Sequence, residues 1–416
     1  METPGPAAPR EQRLLAVGRV AAVAILVGAL ISPPLANAAA LVLLLSFALL
    51  PSARSRLGAA IEAPAARAAL LLLSVLALAM LWSEATAIQR LRGWWDWRPL
   101  LLVVLCLALF DDAKARRLAL IAFVAVASLL ALYSFWAWVN DVSPAKMDHG
   151  LPGIVARNTT TQGMGFAAAC YLALMLAVGE RQLGRRARAL LSAASLLLLA
   201  NLVFVTSSRS GHLALLLMLA VGAVQFLAGW RRVAVVIALP LAAAAAFALS
   251  PMLQQRFGTG IDELRAPLAS KEITGMGIRI VMWDVSWTMA KERPLLGYGM
   301  GGFPAAYRQA IERSSYEGWA ATPTVDPHNQ YLQVHLQAGV AGSLAFLWFL
   351  LGLLRTRGAR PYDAAAKALL VGWCAAALAT SLFTTFAEAH LLMVLLGMLL
   401  AAPRPSAIAP GAPAPA

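Results

Sequence analysis

A histidine stands at the start of a predicted helix in the last quarter of the chain. The stretch Asp326-Pro327-His328 leads directly into a long apolar run. Asp326 is a suitable N-cap residue and Pro327 suits the first helical position, which predicts that His328 lies in the first turn. The positive end of a helix dipole disfavours the imidazolium, so the ring is predicted to be neutral, as a general base must be. For His328 alone, a surface histidine that happens to begin a helix is an equally acceptable interpretation.

Polar residues continue after this histidine into what must become a membrane-spanning helix. They are Gln330, Gln333, His335 and Gln337. Polar side chains in such a helix usually face a cavity or the interior of a helix bundle. For His335, a packing or hydrogen-bonding role is favoured over catalysis.

Two arginines stand where an anionic group would bind. Arg209 lies in a short turn between two apolar runs, and Arg279 lies near the start of a predicted helix, 277–293, which carries Trp283 and Trp287. An arginine near hydrocarbon needs a partner, and no acidic residue occurs in the turn around Arg209. Because guanidinium groups match phosphate oxygens, the two arginines together suit a pyrophosphate. The structural alternative for Arg209 is contact with lipid headgroups.

The composition is that of a protein that crosses a membrane several times. Of the 416 residues, 60% are hydrophobic and 13% are charged, which is outside the range of soluble domains. About twelve apolar runs predict spanning helices. They lie near 14–32, 35–50, 68–84, 99–111, 117–139, 162–179, 188–206, 212–229, 233–250, 331–354, 364–384 and 387–402. The net charge of +14 comes from clusters at the ends of these runs, so nucleic-acid binding is not indicated.

The distribution of positive charge predicts the orientation and the organisation of the chain. Arginines and lysines in the short loops fall mainly on one set of alternate loops, which predicts that both termini are cytoplasmic. The predicted organisation is a membrane bundle, a large outward loop with an interfacial helix, further membrane helices and a disordered tail. These parts cover 1–250, 251–330, 331–402 and 403–416.

Other features of the outward loops bear on the chemistry. Arg90, Arg157 and Arg265 are predicted on the outward side, where they would contact headgroups or an anionic lipid acceptor. The outward loops hold no Asp-x-Asp pair, no cluster with metal-ligand spacing and no Gly-x-Ser-x-Gly motif. We therefore expect a site that uses no metal and no cofactor.

The motif around the histidine resembles the signature of bacterial O-antigen ligases. His328 and Asn329 are followed after nine residues by Gly339 and after two more by Gly342. This agrees with that family's pattern His-[Asn/Ser/Gln]-x9-Gly-x-x-[Gly/Thr/Tyr]. The family is the lipid A–core:surface polymer ligase group within the O-antigen ligase and polymerase superfamily.

Two further elements carry the same resemblance. Arg209 with Leu213 resembles the family's Arg-x3-Leu element. Arg279 with Trp283, followed by the stretch 294–299, is similar to its large-loop pattern. The resemblance is best over 201–342, and the N-terminal third of the chain agrees only in hydropathy.

The resemblance implies an all-α polytopic membrane protein of the GT-C-like glycosyltransferase type, with its active site on the periplasmic side of a bacterial inner membrane. Its expected reaction moves an undecaprenyl-pyrophosphate-linked O-antigen polysaccharide to a sugar hydroxyl of lipid A–core, without metal and with inversion. His328 would act as the general base, and Arg209 and Arg279 would bind the donor pyrophosphate. The expected supporting residues are Asp326, Asn329, Gly339 and Gly342.

Several alternatives remain open at this stage. O-antigen polymerases and protein O-oligosaccharyltransferases share the loop pattern and differ in the acceptor. A transporter of the same lipid-linked glycan would also place arginines in an outward cavity, but the sequence shows no matched repeat halves. A non-enzymatic scaffold would leave the histidine and the two arginines unexplained.

Overall fold

The computed structural model describes residues 9–145, 151–255, 258 and 275–402. All regular secondary structure within these ranges is helical. Arg265 and the proposed tail 403–416 lie outside the described residues.

Most of the helices follow one another with short connections. In chain order they are α1 Pro9–Ile31, α2 Pro33–Ala48, α3 Ala53–Ile61, α4 Pro64–Leu78, α5 Ala87–Trp95, α6 Leu100–Leu109, α7 Ala113–Val139, α8 Thr159–Gly179, α9 Arg185–Phe204, α10 Arg209–Phe226, α11 Gly229–Leu249, α12 Gly275–Glu292, α13 Phe303–Glu312, α14 Gln330–Arg355, α15 Tyr362–Ala376 and α16 Phe386–Leu400. A short 3₁₀ helix, Gly318–Ala321, lies between α13 and α14.

Helices of membrane-spanning length account for a large part of the described chain. By length and composition, 7 of the helices qualify, namely α1, α7 to α11 and α14. The pair α2 and α3 passes the test together but is bent by 108°, and α4, α6 and α16 are shorter apolar helices. Each apolar run found in the sequence overlaps a helix. That all of them cross the membrane stays a prediction.

Two helices that both have the length and composition of a membrane span occupy different positions in the bundle. In α8, 83% of the most apolar window is buried, whereas none of the corresponding window of α11 is buried. Gly163 of α8 and Gly211 of α10 face each other so closely that a Cβ on Gly211 would lie 2.6 Å from the Gly163 carbonyl carbon. Small residues allow this approach between membrane helices. The start of α8 is therefore fixed against the start of α10.

Helices α12 and α13 form a small helical unit with its own apolar core. Side chains of α12 and α13 pack together around Val285, Met289, Phe303 and Tyr307, and Leu336 of α14 completes the cluster. The predicted helix 277–293 is confirmed as α12, which begins two residues earlier and ends at Glu292. The shared core fixes α12 over the start of α14.

The glycine-rich stretch after α12 is tightly packed, which differs from the flexible turn that its composition predicts. Gly299 and Gly301 both have φ of +75°, and a Cβ on either would lie within 2.6 Å of backbone atoms of the segment 83–89. The Tyr298 amide donates to the Leu336 carbonyl at 2.7 Å. Glycine is needed here because the backbones approach so closely.

Two helical segments are interrupted where the sequence predicts continuous spans. The predicted span 364–384 is helical only to Ala376, and 377–385 form turns. Inside α14, Ala338 and Gly339 have non-helical backbone angles, and the Val340 amide bonds the Pro294 carbonyl at 3.0 Å. The turns 377–385 contact the segment that carries His328, and the break in α14 contacts the residues that follow α12.

Candidate functional site

His328 lies just before α14 and not in its first turn. The helix begins at Gln330, and its N-cap is Asn329, whose side chain accepts from the amides of Tyr331 and Leu332 at 3.0 and 3.1 Å. The prediction that Asp326 is the N-cap and that His328 is helical is therefore wrong. Asparagine caps as well as aspartate, and the choice between them is made by contacts that only the folded chain provides.

The backbone of His328 is held in an uncommon conformation. Its φ is +49°, in the left-handed region that non-glycine residues rarely enter. Its amide donates to Asp326 Oδ1 at 2.7 Å, and its carbonyl accepts from Trp283 Nε1 at 3.3 Å. Such strain costs on the order of 1–3 kcal/mol and persists only where the surroundings impose it. Here Asp326, which binds the amide, and Trp283, which binds the carbonyl, impose it.

Asp326 joins the histidine to the turns between α15 and α16. Besides the His328 amide, its Oδ1 accepts from Ser381 Oγ at 2.6 Å. Asn329 adds a second link, because its Nδ2 donates to the Leu378 carbonyl at 2.9 Å. The residues on either side of His328 are therefore attached to the same non-helical segment, 377–385.

The polar face that begins α14 makes further bonds to this segment. The Gln330 amide donates to the Ala377 carbonyl at 3.0 Å, and its side-chain oxygen accepts from the Phe383 amide at 2.8 Å. Gln333 Oε1 accepts from Thr384 Oγ1 at 2.9 Å. Gln330 thus pairs with two backbone groups of the segment 377–385 and Gln333 with a side-chain hydroxyl, as buried polar groups require.

The remaining two polar residues of this face also have partners inside the protein. His335 Nδ1 lies 3.0 Å from Ser343 Oγ, across the break in α14. Gln337 Oε1 accepts from Trp97 Nε1 at 3.1 Å. The contact of His335 agrees with the hydrogen-bonding role favoured from the sequence.

Helix α12 brings Arg279 to the histidine. Arg279 and Trp283 are four residues apart and so share one face of the helix. Trp283 bonds the His328 carbonyl, and the Arg279 guanidinium is close enough to act electrostatically on the His328 ring. Arg279 Nη1 donates to the Gly275 carbonyl at 3.3 Å, which holds the arginine near the start of its helix.

The environment of His328 favours the neutral imidazole. Burial lowers the pKa of His328 most strongly, the nearby Arg279 cation lowers it further, and the Asp326 carboxylate raises it by a smaller amount than burial lowers it. The pKa of His328 is thus lowered, which is the direction that the helix-dipole argument from the sequence predicts. The cause is different, because His328 lies outside the helix and its half-buried ring is desolvated. A neutral histidine beside a guanidinium can accept a proton while the cation holds an anion.

Arg209 is the first residue of α10, at the same end of the bundle as His328. A series of contacts connects the two. Ser208 caps α10 and touches Gly163 of α8, and Thr161, one turn from the start of α8, donates to Glu388 Oε1 of α16 at 2.7 Å. The turns 377–385, which hold Asp326, lead directly into α16.

A second pair of arginines lies near the start of α16. The guanidinium groups of Arg98 and Arg157 lie 5.5 and 5.4 Å from the centre of the Phe386 ring. Arg98 Nη2 also donates to Asn37 Oδ1 at 3.3 Å. Cation–π contacts of this length hold the two positive groups at one place, so Arg157 and Arg98 form a basic patch beside Phe386.

The other residues singled out in the sequence have local structural contacts. Arg90 donates to the carbonyls of Ala85 and Met80 at 2.7 and 3.2 Å, so it braces a turn. Gly339 has φ of +60°, and a Cβ there would lie 2.1 Å from the Leu295 carbonyl oxygen. Gly342 faces Ala338 of its own helix at the break. Within the described ranges, no three His, Cys, Asp or Glu side chains come together as a metal site would require.

Some residues around the site were not identified from the sequence. Ser381 and Thr384 lie inside what was predicted to be a membrane span, and Glu388 is fully buried in an apolar helix. A signal for them was present. The run 380–385 holds four hydroxyl side chains in six residues, and an ionisable residue inside an apolar helix indicates function or a specific partner.

Comparison with known proteins finds one matching family model. The model of a family described as O-antigen ligase matches residues 194–347. The matched segment runs from α9 into α14, so it contains Arg209, Arg279 and His328 but not the turns 377–385. No curated protein matches the chain. The resemblance of the chain to the O-antigen ligase family is therefore confirmed over residues 194–347.

Proposed function

We propose that the protein is an O-antigen ligase, which transfers a polysaccharide from undecaprenyl pyrophosphate to a sugar hydroxyl of lipid A–core on the periplasmic side of the inner membrane. The observation that supports this most is the pairing of His328 with Arg279. A half-buried histidine, whose pKa is lowered by burial and by the Arg279 cation, lies beside that guanidinium, and Trp283 of the same helix donates to the histidine carbonyl. The family match is compatible with ligase or polymerase chemistry in general, so the acceptor is part of the proposal.

His328 is proposed to be the general base. Its ring nitrogen takes the proton of the acceptor hydroxyl while the hydroxyl oxygen bonds to the anomeric carbon of the donor. The bond between that carbon and the pyrophosphate oxygen breaks on the opposite face, so the anomeric centre is inverted. Positioned bases typically contribute a factor of about 10²–10⁴ to the rate.

Arg209 and Arg279 are proposed to hold the leaving group. Undecaprenyl pyrophosphate departs with one more negative charge than it carried as an ester. Arg279, near the N-terminus of α12, and Arg209, at the N-terminus of α10, combine guanidinium charge with the positive ends of two helix dipoles. Stabilisation of charge that develops in the transition state is usually the largest contribution to catalysis.

The neighbours of His328 are proposed to fix its geometry. Asp326 and Trp283 hold the two backbone groups of the histidine, and Asn329 starts α14 behind it. Misplacement of a catalytic group by about 1 Å can reduce a rate about a hundredfold. The strained backbone is thus proposed to serve orientation of the ring towards the acceptor.

A reconstituted transfer reaction tests the proposal. Purified full-length protein in vesicles of bacterial polar lipids would receive lipid-linked O-antigen together with lipid A–core that lacks O-antigen. The expected product is polysaccharide attached to lipid A–core, resolved by gel electrophoresis and mass spectrometry. Lengthened lipid-linked polymer with unchanged lipid A–core would instead identify a polymerase, and movement of intact donor across the bilayer without any new bond would identify a transporter.

A further inference from the structure

A solvent-facing cavity lies between α12 and α13, beside the site that contains His328. Its volume is about 280 Å³. Asp284, Thr288 and Glu292 of α12 line one wall, and Arg313 and Ser314 at the end of α13 line the other. None of these residues contributes to the histidine site, so the proposed reaction leaves the cavity unexplained.

The two carboxylates of the cavity are held in fixed orientations. Asp284 Oδ2 accepts from the Tyr316 hydroxyl at 3.0 Å, and Glu292 Oε2 accepts from the Tyr298 hydroxyl at 3.1 Å. Arg313 Nη2 lies 3.9 Å from the same Glu292 oxygen. Among the described residues, each carboxylate therefore has one oxygen engaged by a tyrosine and the other available to a ligand.

The arrangement does not suit a metal ion or an anion. Asp284 and Glu292 are eight residues apart on α12, which separates them by about 12 Å along the helix. A divalent cation needs its oxygen ligands within about 2.6 Å, so the two carboxylates cannot share one. An anion would meet two carboxylates and the single guanidinium of Arg313, which already lies near one of them.

The same groups suit a ligand that carries several hydroxyls. Hydroxyl groups can donate to the two carboxylates and accept from Arg313, and the hydroxyls of Thr288 and Ser314 can do both. Val285 and Ala310 form an apolar surface between them, on which the C–H face of a sugar ring can lie. Sites for small molecules commonly combine an apolar lining with a few placed polar groups.

The cavity is joined to the histidine site through α12. Asp284 directly follows Trp283, whose indole bonds the His328 carbonyl. The cavity begins at this level of the helix and extends to Glu292, away from Arg279. We propose that it is a saccharide subsite, which holds a sugar of the donor glycan or of the acceptor core while another sugar reacts at His328. This inference rests on the glycosyl transfer proposed above.

A binding measurement tests the subsite without relying on turnover. Purified full-length protein would be titrated by calorimetry with two soluble probes, the O-polysaccharide and the core oligosaccharide, each released from its lipid by mild acid. Wild-type protein is expected to bind at least one of them. The double variant Asp284→Asn/Glu292→Gln is expected to bind that probe about tenfold more weakly, because it loses hydrogen bonds to charged groups.

Two further variants control this measurement. Glu312→Gln changes the same charge on an exposed residue of α13 outside the cavity and is expected to bind as wild type does. Thr288 is exposed and lies one turn from both carboxylates, so Thr288→Arg is tolerated by the fold. Its long side chain is expected to fill the cavity and block binding of the saccharide. If Thr288→Arg and the double variant both bind the probe weakly, the loss of binding arises at the cavity and not from a folding defect of one variant.

The outcomes distinguish the two proposals. Preferential binding of the polysaccharide would assign the cavity to the donor, and binding of the core oligosaccharide would assign it to the acceptor. If wild-type protein binds neither probe, or if the double variant and Thr288→Arg bind as tightly as wild type, the subsite is refuted. Failure of transfer in the reconstituted reaction, with saccharide binding intact, would refute the proposed function and leave the subsite standing.

Discussion

The backbone of His328 is held through its amide and its carbonyl, and the pKa of its ring is shifted by two groups of opposite charge. Asp326 binds the amide and Trp283 binds the carbonyl. Asp326 raises the pKa of the ring, whereas burial and Arg279 lower it. Since the net effect is downward from the usual value of about 6.5, the neutral base is expected to predominate at and above neutral pH. Activity should then be lost as the pH falls through the lowered pKa.

Replacement of Arg279 tests this electrostatic account. In Arg279→Gln the cation that lowers the pKa of His328 is absent, so the pKa rises. The acidic limb of kcat/KM is expected to move to higher pH, along with a fall in the maximal rate from weaker pyrophosphate binding. A pH profile of transfer by the purified variant measures both effects.

The matched control changes the opposite charge. Asp326→Asn keeps an oxygen that can accept from the His328 amide and from Ser381 Oγ, but it removes the carboxylate that raises the pKa. Its acidic limb is expected to move to lower pH. Shifts in the same direction for both variants would show that the limb does not belong to His328.

The sequence predicts which residues form the site, but it does not predict their local backbone geometry. His328, Arg279 and Asp326 were selected because of their types and their neighbours in the chain. The choice of Asn329 over Asp326 as N-cap follows from the bond between Asp326 and Ser381. That partner is 55 residues away, so no local pattern could indicate it.

At the level of elements, two helices and one segment of turns create the site. Helix α12 carries Arg279 and Trp283, α14 begins just after His328, and the turns 377–385 bind the residues on both sides of the histidine. The helices themselves follow from apolar periodicity and were predicted. The turns were predicted as part of a span. The early end of α15 depends on Gln330 of α14, which pairs with backbone groups of the turns, and an apolar pattern does not indicate such a contact.

A substitution at the break in α14 tests how far the site depends on the helices that support it. In Gly339→Ala, the new Cβ would meet the Leu295 carbonyl oxygen, and alanine would have to adopt a φ of +60°. The backbone conformation alone costs on the order of 1–3 kcal/mol. We expect a lower midpoint of thermal unfolding in detergent and a loss of transfer, because α12 and α14 separate.

A glycine without such constraints provides the comparison. Gly58 lies in α3 with no atom near its Cβ position. Gly58→Ala is expected to unfold at the wild-type temperature or slightly above it, since alanine favours helix. Equal behaviour of the two variants would contradict the role given to the break.

On the scale of the whole molecule, the distribution of charge is expected to orient the bundle. The arginine-rich start of α9 is predicted to be cytoplasmic, and α12 and α13 are predicted to be periplasmic. The positive-inside pattern depends only on the order of charges in the chain, so the sequence can predict it. The packing of α8 at the centre and α11 at the edge cannot be predicted from apolar character, because the exposed α11 is the more apolar of the two.

Accessible cysteines test this orientation. Cys106 and Cys170 are buried and Cys374 is half-buried, so background labelling should be low. Glu312→Cys in α13 and Arg186→Cys in α9 each replace an exposed side chain. A membrane-impermeant maleimide applied to spheroplasts is expected to label the first variant only, and permeabilisation should expose the second. The reverse pattern would place the histidine site on the cytoplasmic side and remove the proposed substrates from its reach.

The most direct test of the central claim replaces His328 by a residue that tolerates its backbone conformation. Asparagine adopts positive φ more readily than most residues, so His328→Asn should keep the fold while it removes the base. In the reconstituted reaction, with size-exclusion chromatography and thermal unfolding to confirm the fold, we predict that kcat falls by a factor of about 10²–10⁴. Transfer at a rate near that of wild type by the folded variant would contradict the assignment of His328 as the general base.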